Sequence, residues 1–250
     1  MAIIVKSEDE LKKMRVACQI TGETLGMLGK MIAPGVTTEE LDRAAEKFIR
    51  ARGGVPSFLR YRGFPKSACI SVNEEVIHGI PGLRKLKSGD IVSVDIGAFV
   101  GGFHGDAART FAVGEISEEA AKLIEVTRAC FFAGAAQALE GNHLHQISEA
   151  VQKTAEAAGF SVVREYVGHG VGRDLHEDPS VPNYKPPSRG PRLVRGMTLA
   201  IEPMINIGTH EIKILGDKWT VVTKDGSLSA HYENSIAITA NEPEIMTLVV

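Results

Sequence analysis

The stretch LKSGDIVSVDIG, residues 86–97, returns as LVRGMTLAIEPM at residues 193–204, and that return decides the fold. The copies lie 107 positions apart and pair Gly89 with Gly196 and Asp95 with Glu202. Working outward, PGVTTEELDRAAEKFIRARGG (34–54) aligns with EGNHLHQISEAVQKTAEAAGF (140–160) at a separation of 106. In each, a glycine pair spaced by 18 residues, Gly35 with Gly53 and Gly141 with Gly159, brackets the segment. Amphipathic helices alone resemble one another by chance, but two independent blocks agree here on nearly one separation. A period this long exceeds that of solenoid repeats, so the better reading is an internal pseudo-twofold with a site on its axis.

Each half places helices before strands. Ser7 and Glu10 have capping-box spacing ahead of Leu11, Met14, Ala17 and Cys18 at helical intervals, and this first helix ends near Pro34-Gly35. Thr37 and Glu40 repeat the signal before the apolar stripe Leu41, Ala44, Ala45, Phe48 and Ile49, which stops before Gly53. Residues 67–80 and 90–113 are rich in Val, Ile and Phe without helical period and read as strands. The order recurs with a helix after Ser117, another from about His145 to Ala158, and strands from Val162 onward. The expected class is α/β (α+β), with pseudo-repeats at about 8–113 and 117–239.

Composition narrows the function. The 250 residues are 44% apolar and 24% charged with net charge −3, neither the basic excess of a nucleic-acid binder nor a disordered acidic chain. Cys18, Cys69 and Cys130 lie far apart without a C-x-x-C, which fits free thiols in a reducing compartment. The N-terminal MAIIVKSEDELKKM turns charged after a few apolar residues, so it is neither signal peptide nor membrane span, and a cytoplasmic enzyme is expected.

The chemistry resides in acids set into apolar runs. IVSVDIGAFVGGFHGDAARTF carries Asp95 and Asp106 eleven apart on two strand-like runs joined at Gly101-Gly102, and a hairpin there brings them together. A single such Asp is more often a solvated residue on an open sheet face. Glu202 in LAIEPMINIG and Glu233 in LSAHYENSIAIT, each read as a strand with one acid, make four and change that balance. Buried together, anionic carboxylates need cations to neutralise them, and divalent ions do so while accepting oxygen ligands. His169, flanked by Gly168, Gly170 and Gly172 in YVGHGVGRDLHEDP, is the candidate nitrogen ligand on backbone free for close approach. Two Asp, two Glu and one His suit a pair of divalent ions roughly 3.5–4 Å apart, and metal-assisted hydrolysis is the reaction class.

The order Asp95, Asp106, His169, Glu202, Glu233, set in SVNEEVIHGIP, DIGAFVGGFHGD, GHGVGRDLHE, IEPM and HYENSIAIT, resembles methionine aminopeptidase of the bacterial type I class over nearly the whole chain. The resemblance implies the pita-bread fold, an antiparallel-rich curved sheet covered by helices, in a single catalytic domain, 1–250. It implies removal of the initiator methionine from nascent polypeptides with a small second residue, a metal-bound water or hydroxide attacking the scissile carbonyl. Asp95, Asp106 and Glu233 would hold the metal pair, His169 and Glu202 complete one metal, and Glu202 also shuttles the proton. His78 and His176 match the substrate-contacting histidines, and Phe58, Tyr61, Phe64, Cys69 and Leu175, with Trp219 from the WTVVTKDGS segment read as a strand, fall where the family builds its methionine pocket. Leu175 replaces a residue often aromatic in relatives, and Phe58 one that is often smaller. By the same analogy a monovalent cation sits near Asn73, Glu75 and Ser229. The donor set accommodates Co, Mn, Fe or Zn. The implied protein is a monomer without a nucleic-acid or membrane site that meets the ribosome transiently through its catalytic domain. Two alternatives share the scaffold: a proline-specific peptidase, whose relatives usually carry a large N-terminal domain, and a non-catalytic binding paralogue, known where ligands have been lost.

Overall fold

A computed structural model of the chain describes residues 2–248, so Met1, Val249 and Val250, at the ends of the expected domain, lie outside the described residues. Among the described residues four helices form, two of them where capping signals place them and two where the sequence predicts helices after Ser117 and from about His145. Helix α1 (Glu8–Met31) starts on Ser7 and α2 (Thr38–Ala51) on Thr37, each with a reciprocal capping box to Glu10 or Glu40. Helix α3 (Glu118–Ala135) is capped by the Ser117 hydroxyl, and at the start of α4 (Leu144–Ala157) the Gln146 side chain accepts from the His143 amide at 2.7 Å. The stripe of α2 buries Leu41, Ala45 and Ile49 against Ile70, Val94 and Ile96 of the first half. In the second half Leu144 and Ile147 of α4 pack with Leu199, Ile201 and Ile236.

The duplication is visible atom by atom. Helices α2 and α4 are both 14 residues long. The Gly35 amide donates to the Leu86 carbonyl and the Leu86 amide returns a bond to Val36; Gly141 with Leu193, and Leu193 with Asn142, do the same. Isolated bridges join Thr37 to Lys85 and His143 to Arg192. Gly35 and Gly141 both take a left-handed φ, +94° and +91°, that a side chain would strain. Each half thus clasps the entry of its second helix to the approach of its central strand.

Among the described residues the expected curved sheet resolves into four sheets, every pairing antiparallel. In the first half Ile91–Val100 runs between Ala68–Val72 and Phe103–Ala112. The last two strands are joined by Gly101 and Gly102, whose φ values of +61° and +87° suit a tight two-residue hairpin turn. In the second half the single strand expected around Glu202 is two. Thr198–Ile201 pairs with Asn234–Ala237, and Met204–Asn206 pairs with Ser229–His231. Pro203, which has no N–H to give a ladder, stands in the break. Glu202 and Glu233 therefore lie between strands rather than on them, while Asp95 and Asp106 lie on strands.

The halves meet along Phe103–Ala112 and 229–237. Ala108 and Glu233 exchange backbone bonds of 3.3 and 2.9 Å, Ser235 Oγ bonds both the amide and the carbonyl of Asp106, and Thr110 Oγ1 links the backbone of His231. The halves differ most between their paired strands. Where the first has Gly101-Gly102, the second has 207–228, in which Ile212–Ile214 pairs with Val221–Thr223 and Val221–Thr223 reaches across to pair with Glu75–Ile77 of the first.

A buried ion pair, Lys6 Nζ with Glu177 Oε2, ties the N-terminal segment to the loop after Gly172, and Glu177 Oε1 also accepts from the Arg173 amide at 2.8 Å. Replacing Lys6 by Met leaves that carboxylate without its cation, a loss of about 3 kcal/mol. The expected outcome is a lowered urea midpoint at unchanged slope.

Candidate metal centre and substrate cleft

All five acids and imidazoles read from the sequence converge at the seam, on the floor of a cleft of about 660 Å³ open to solvent. Asp95 faces Ala108 and Asp106 faces Gly97 across the hairpin, so the two aspartates are diagonal neighbours on one face. Glu202 and Glu233 come from the strand breaks, and the Tyr232 amide closes the gap by donating to the Pro203 carbonyl at 3.2 Å. Arg109 braces this turn from behind: its guanidinium donates to the Glu233 carbonyl and to Asn234 Oδ1, and stacks over the Tyr232 ring.

His169 sits in Gly168–Gly170, paired on both sides. Its flanking glycines are needed for approach rather than for an unusual φ. A Cβ on Gly168 would lie 2.3 Å from the Ala200 carbonyl oxygen, and one on Gly170 would lie 2.3 Å from that of Asp178. His169 Nδ1 bonds the Gly170 carbonyl at 2.8 Å, and since a carbonyl only accepts, Nδ1 carries the proton. Burial holds this imidazole down at about 4, so it is neutral at physiological pH. Its bare Nε2 lone pair then faces Glu202 Oε1 at 3.5 Å and Asp106 Oδ2 at 3.9 Å.

A lone pair aimed at carboxylates is repulsive unless a proton or a metal cation relieves it. Buried oxygens on Asp95, Asp106 and Glu233 have no hydrogen-bond partner, and among the described residues no Lys or Arg side chain pairs with the four acids. Burial pushes the Asp106 carboxyl up to about 7, and burial together with neighbouring carboxylates drives Asp95, Glu202 and Glu233 well above the usual range. Two donor triads lie with all atoms within 4.8 Å of one another, Asp106, His169 and Glu233, and Asp95, His231 and Glu233, with Glu233 common to both. The residues fit divalent cations.

Above this floor, Phe58, Phe64, Cys69 and Leu175 form a small buried apolar cluster joined by Tyr61 and Trp219, so every residue expected in the pocket lines it. Trp219 stands in the bend before Val221–Thr223 rather than on the strand. His176 hydrogen-bonds Tyr61 Oη through Nδ1 at 2.9 Å, and its ring centroid lies 4.1 Å from that of His169. His78 adopts a left-handed φ of +59°, held by Gly79, where a Cβ would lie 2.3 Å from the Ile70 carbonyl. The turn sets the His78 ring edge-on to Trp219 and Tyr166. Asn73 and Ser229 also meet, the Ser229 amide donating to the Asn73 carbonyl at 2.9 Å, while the Glu75 side chain bonds the Val72 amide and Arg84. These three stand outside the cleft lining. Two lining or floor residues escaped the sequence reading. Arg62 at the mouth carries no sequence signal, whereas His231 has one, its place two residues before Glu233.

The fold and floor define a metallopeptidase: the model of metallopeptidase family M24 matches residues 12–240. A methionine aminopeptidase of Clostridium acetobutylicum is 59% identical, covering 98% of this chain and 99% of that protein. The crystal structure of methionine aminopeptidase from Thermotoga maritima superposes with a TM-score of 0.97 at 43% identity, covering 99% of this chain and all of that one. Prolidase from Pyrococcus furiosus shares the fold at a TM-score of 0.80 and 20% identity, with 99% of this chain covering 66% of it. The chain belongs to metallopeptidase family M24 and, within it, to the methionine aminopeptidases.

The raised carboxyl pKa values predict how the metal-free protein responds to pH. Acids held above their unfolded value of about 4 favour the fold while protonated, and that contribution disappears as pH rises through the folded value, about 7 for Asp106. The metal-free protein should therefore lose melting temperature from pH ~5 to pH ~8, and added Mn²⁺ should flatten the profile. A profile equally steep with and without Mn²⁺ contradicts the fit.

Proposed function

We propose that the chain removes N-terminal methionine from polypeptides, with hydrolysis over the carboxylate floor and the methionine side chain in the apolar end of the cleft. One observation carries this reading: a wall of Phe58, Phe64, Cys69 and Leu175 stands beside a floor of four acids and His169 in a single cleft. A long, soft, apolar side chain suits that wall. In this reading Asp95, Asp106 and Glu233 hold two divalent ions, and His169 and Glu202 complete one of them. When bound, such ions polarise a peptide carbonyl and acidify water. Glu202 takes the proton from the attacking water on a side-chain oxygen and passes it to the leaving amine nitrogen. His78 and His176 hydrogen-bond the carbonyl oxygen as it gains charge. Tyr61 holds His176, and the hydrogen bond of 2.9 Å fixes that ring over the floor.

The donor set of carboxylates and imidazole accepts Co, Mn, Fe or Zn. A monovalent cation at the Asn73–Ser229 junction, with Glu75 nearby, would brace the link between the halves. The whole chain, 1–250, is one catalytic domain of two pseudo-repeats, 8–113 and 117–239. It acts as a monomer in the cytoplasm on nascent chains with a small second residue, meeting the ribosome transiently through this domain. Among the described residues no helix is long and apolar enough to cross a membrane.

Metal-loaded protein should cleave Met-Ala-Ser and leave an X-Pro peptide intact; the reverse preference overturns the assignment. Glu202→Gln should reduce kcat by at least ~10²-fold, and near-normal turnover of that variant contradicts the shuttle role.

A further inference from the structure

His231 has no part in the reaction described above. It is 2% exposed, and neither ring nitrogen has a hydrogen-bond partner. A buried imidazole with two unused nitrogens is costly unless a non-protein group meets it. Its position says what that is. Nε2 lies 3.8 Å from Glu233 Oε2 and 3.9 Å from Glu202 Oε2. Those separations are too long for hydrogen bonds, yet the one to Glu233, the acid common to both triads, fits two donors each ~2.1 Å from one ion at a wide angle. They also match the separations of His169 Nε2 from its two carboxylates, 3.5 and 3.9 Å. The triad of Asp95, His231 and Glu233 is as compact as the triad of Asp106, His169 and Glu233.

We propose that His231 is a sixth ligand, so that each divalent transition-metal ion receives one imidazole: His169 for the first and His231 for the second, with Glu233 shared. The inference rests on the two-ion reading. The imidazoles are not equal. His169 is oriented by its Nδ1 bond to the Gly170 carbonyl, whereas His231 Nδ1 has no such bond. Ligands whose far nitrogen is held bind metal more tightly, so the ion at His231 should load second.

The test is made on full-length apo protein labelled with 15N in the histidine rings and titrated with Zn²⁺. Resonances are assigned with His169→Gln and His231→Gln, and Zn²⁺ binding is followed by calorimetry. The expected result is a large 15N shift at His169 over the first equivalent and at His231 over the second. In His231→Gln the second Kd should rise at least ~10-fold while the first stays within about threefold. If two ions bind wild-type protein and the His231 resonance stays in place, this inference falls and the two-ion reading stands; if fewer than two bind, both fall. The wild-type spectrum decides the matter even if His231→Gln does not fold.

Discussion

Four carboxyl groups held within reach of one another away from bulk water are the constraint around which this molecule is organised. Each buried anion costs several kcal/mol without a counter-charge, so the chain must supply a rigid frame to keep them together and leave room for cations to join them. The frame is backbone. Ala108 and Glu233 bond each other across the two halves, and Ser235 fastens both main-chain groups of Asp106, so the acids are fixed by ladders whose polar groups are satisfied. Arg109 strengthens the same junction through the Glu233 carbonyl, leaving the carboxylate free for the floor.

The frame in turn depends on duplication. Each half folds its own clasp, Gly35 with Leu86 and Gly141 with Leu193, and each clasp sets the start of a central strand, one carrying Asp95 and the other ending just before Glu202. Neither half holds the whole donor set: the first contributes two aspartates, the second His169 and two glutamates. Helices α2 and α4 bury apolar stripes against strands of their own half, α1 packs against Phe103 of its own half and Val171, Ala200 and Ala237 of the other, and the polar work is left to the line where the halves touch.

The repeat, the helices and the acid–imidazole set were legible because each is written locally. Capping boxes at Ser7 and Thr37 mark helix starts within three residues, and the Gly101-Gly102 turn alone determines that Asp95 and Asp106 become neighbours. What was not legible depends on distant pairing. An apolar run containing Glu202 looks like one strand, and only partners more than 20 residues away show that it changes sheets at Pro203. Trp219 reads as strand for the same reason, although its side chain reaches the cleft from a bend. His231 passed unnoticed because a lone histidine in an apolar run is ordinarily core; its unsatisfied nitrogens appear only once Glu202 and Glu233 are placed beside it.

The long segment 207–228 has a further consequence. A site made by two equal halves about a twofold axis presents the same face to a peptide lying in either direction, and so cannot tell one end of a chain from the other. A polypeptide has polarity, and an enzyme that works only from the amino end must break the symmetry. Here the break is a matter of length: where one half turns in two residues, the other extends an arm that grips Glu75–Ile77 and brings Trp219 over one side of the floor. The duplicated body supplies the charge balance, and the unequal arm gives the cleft its direction.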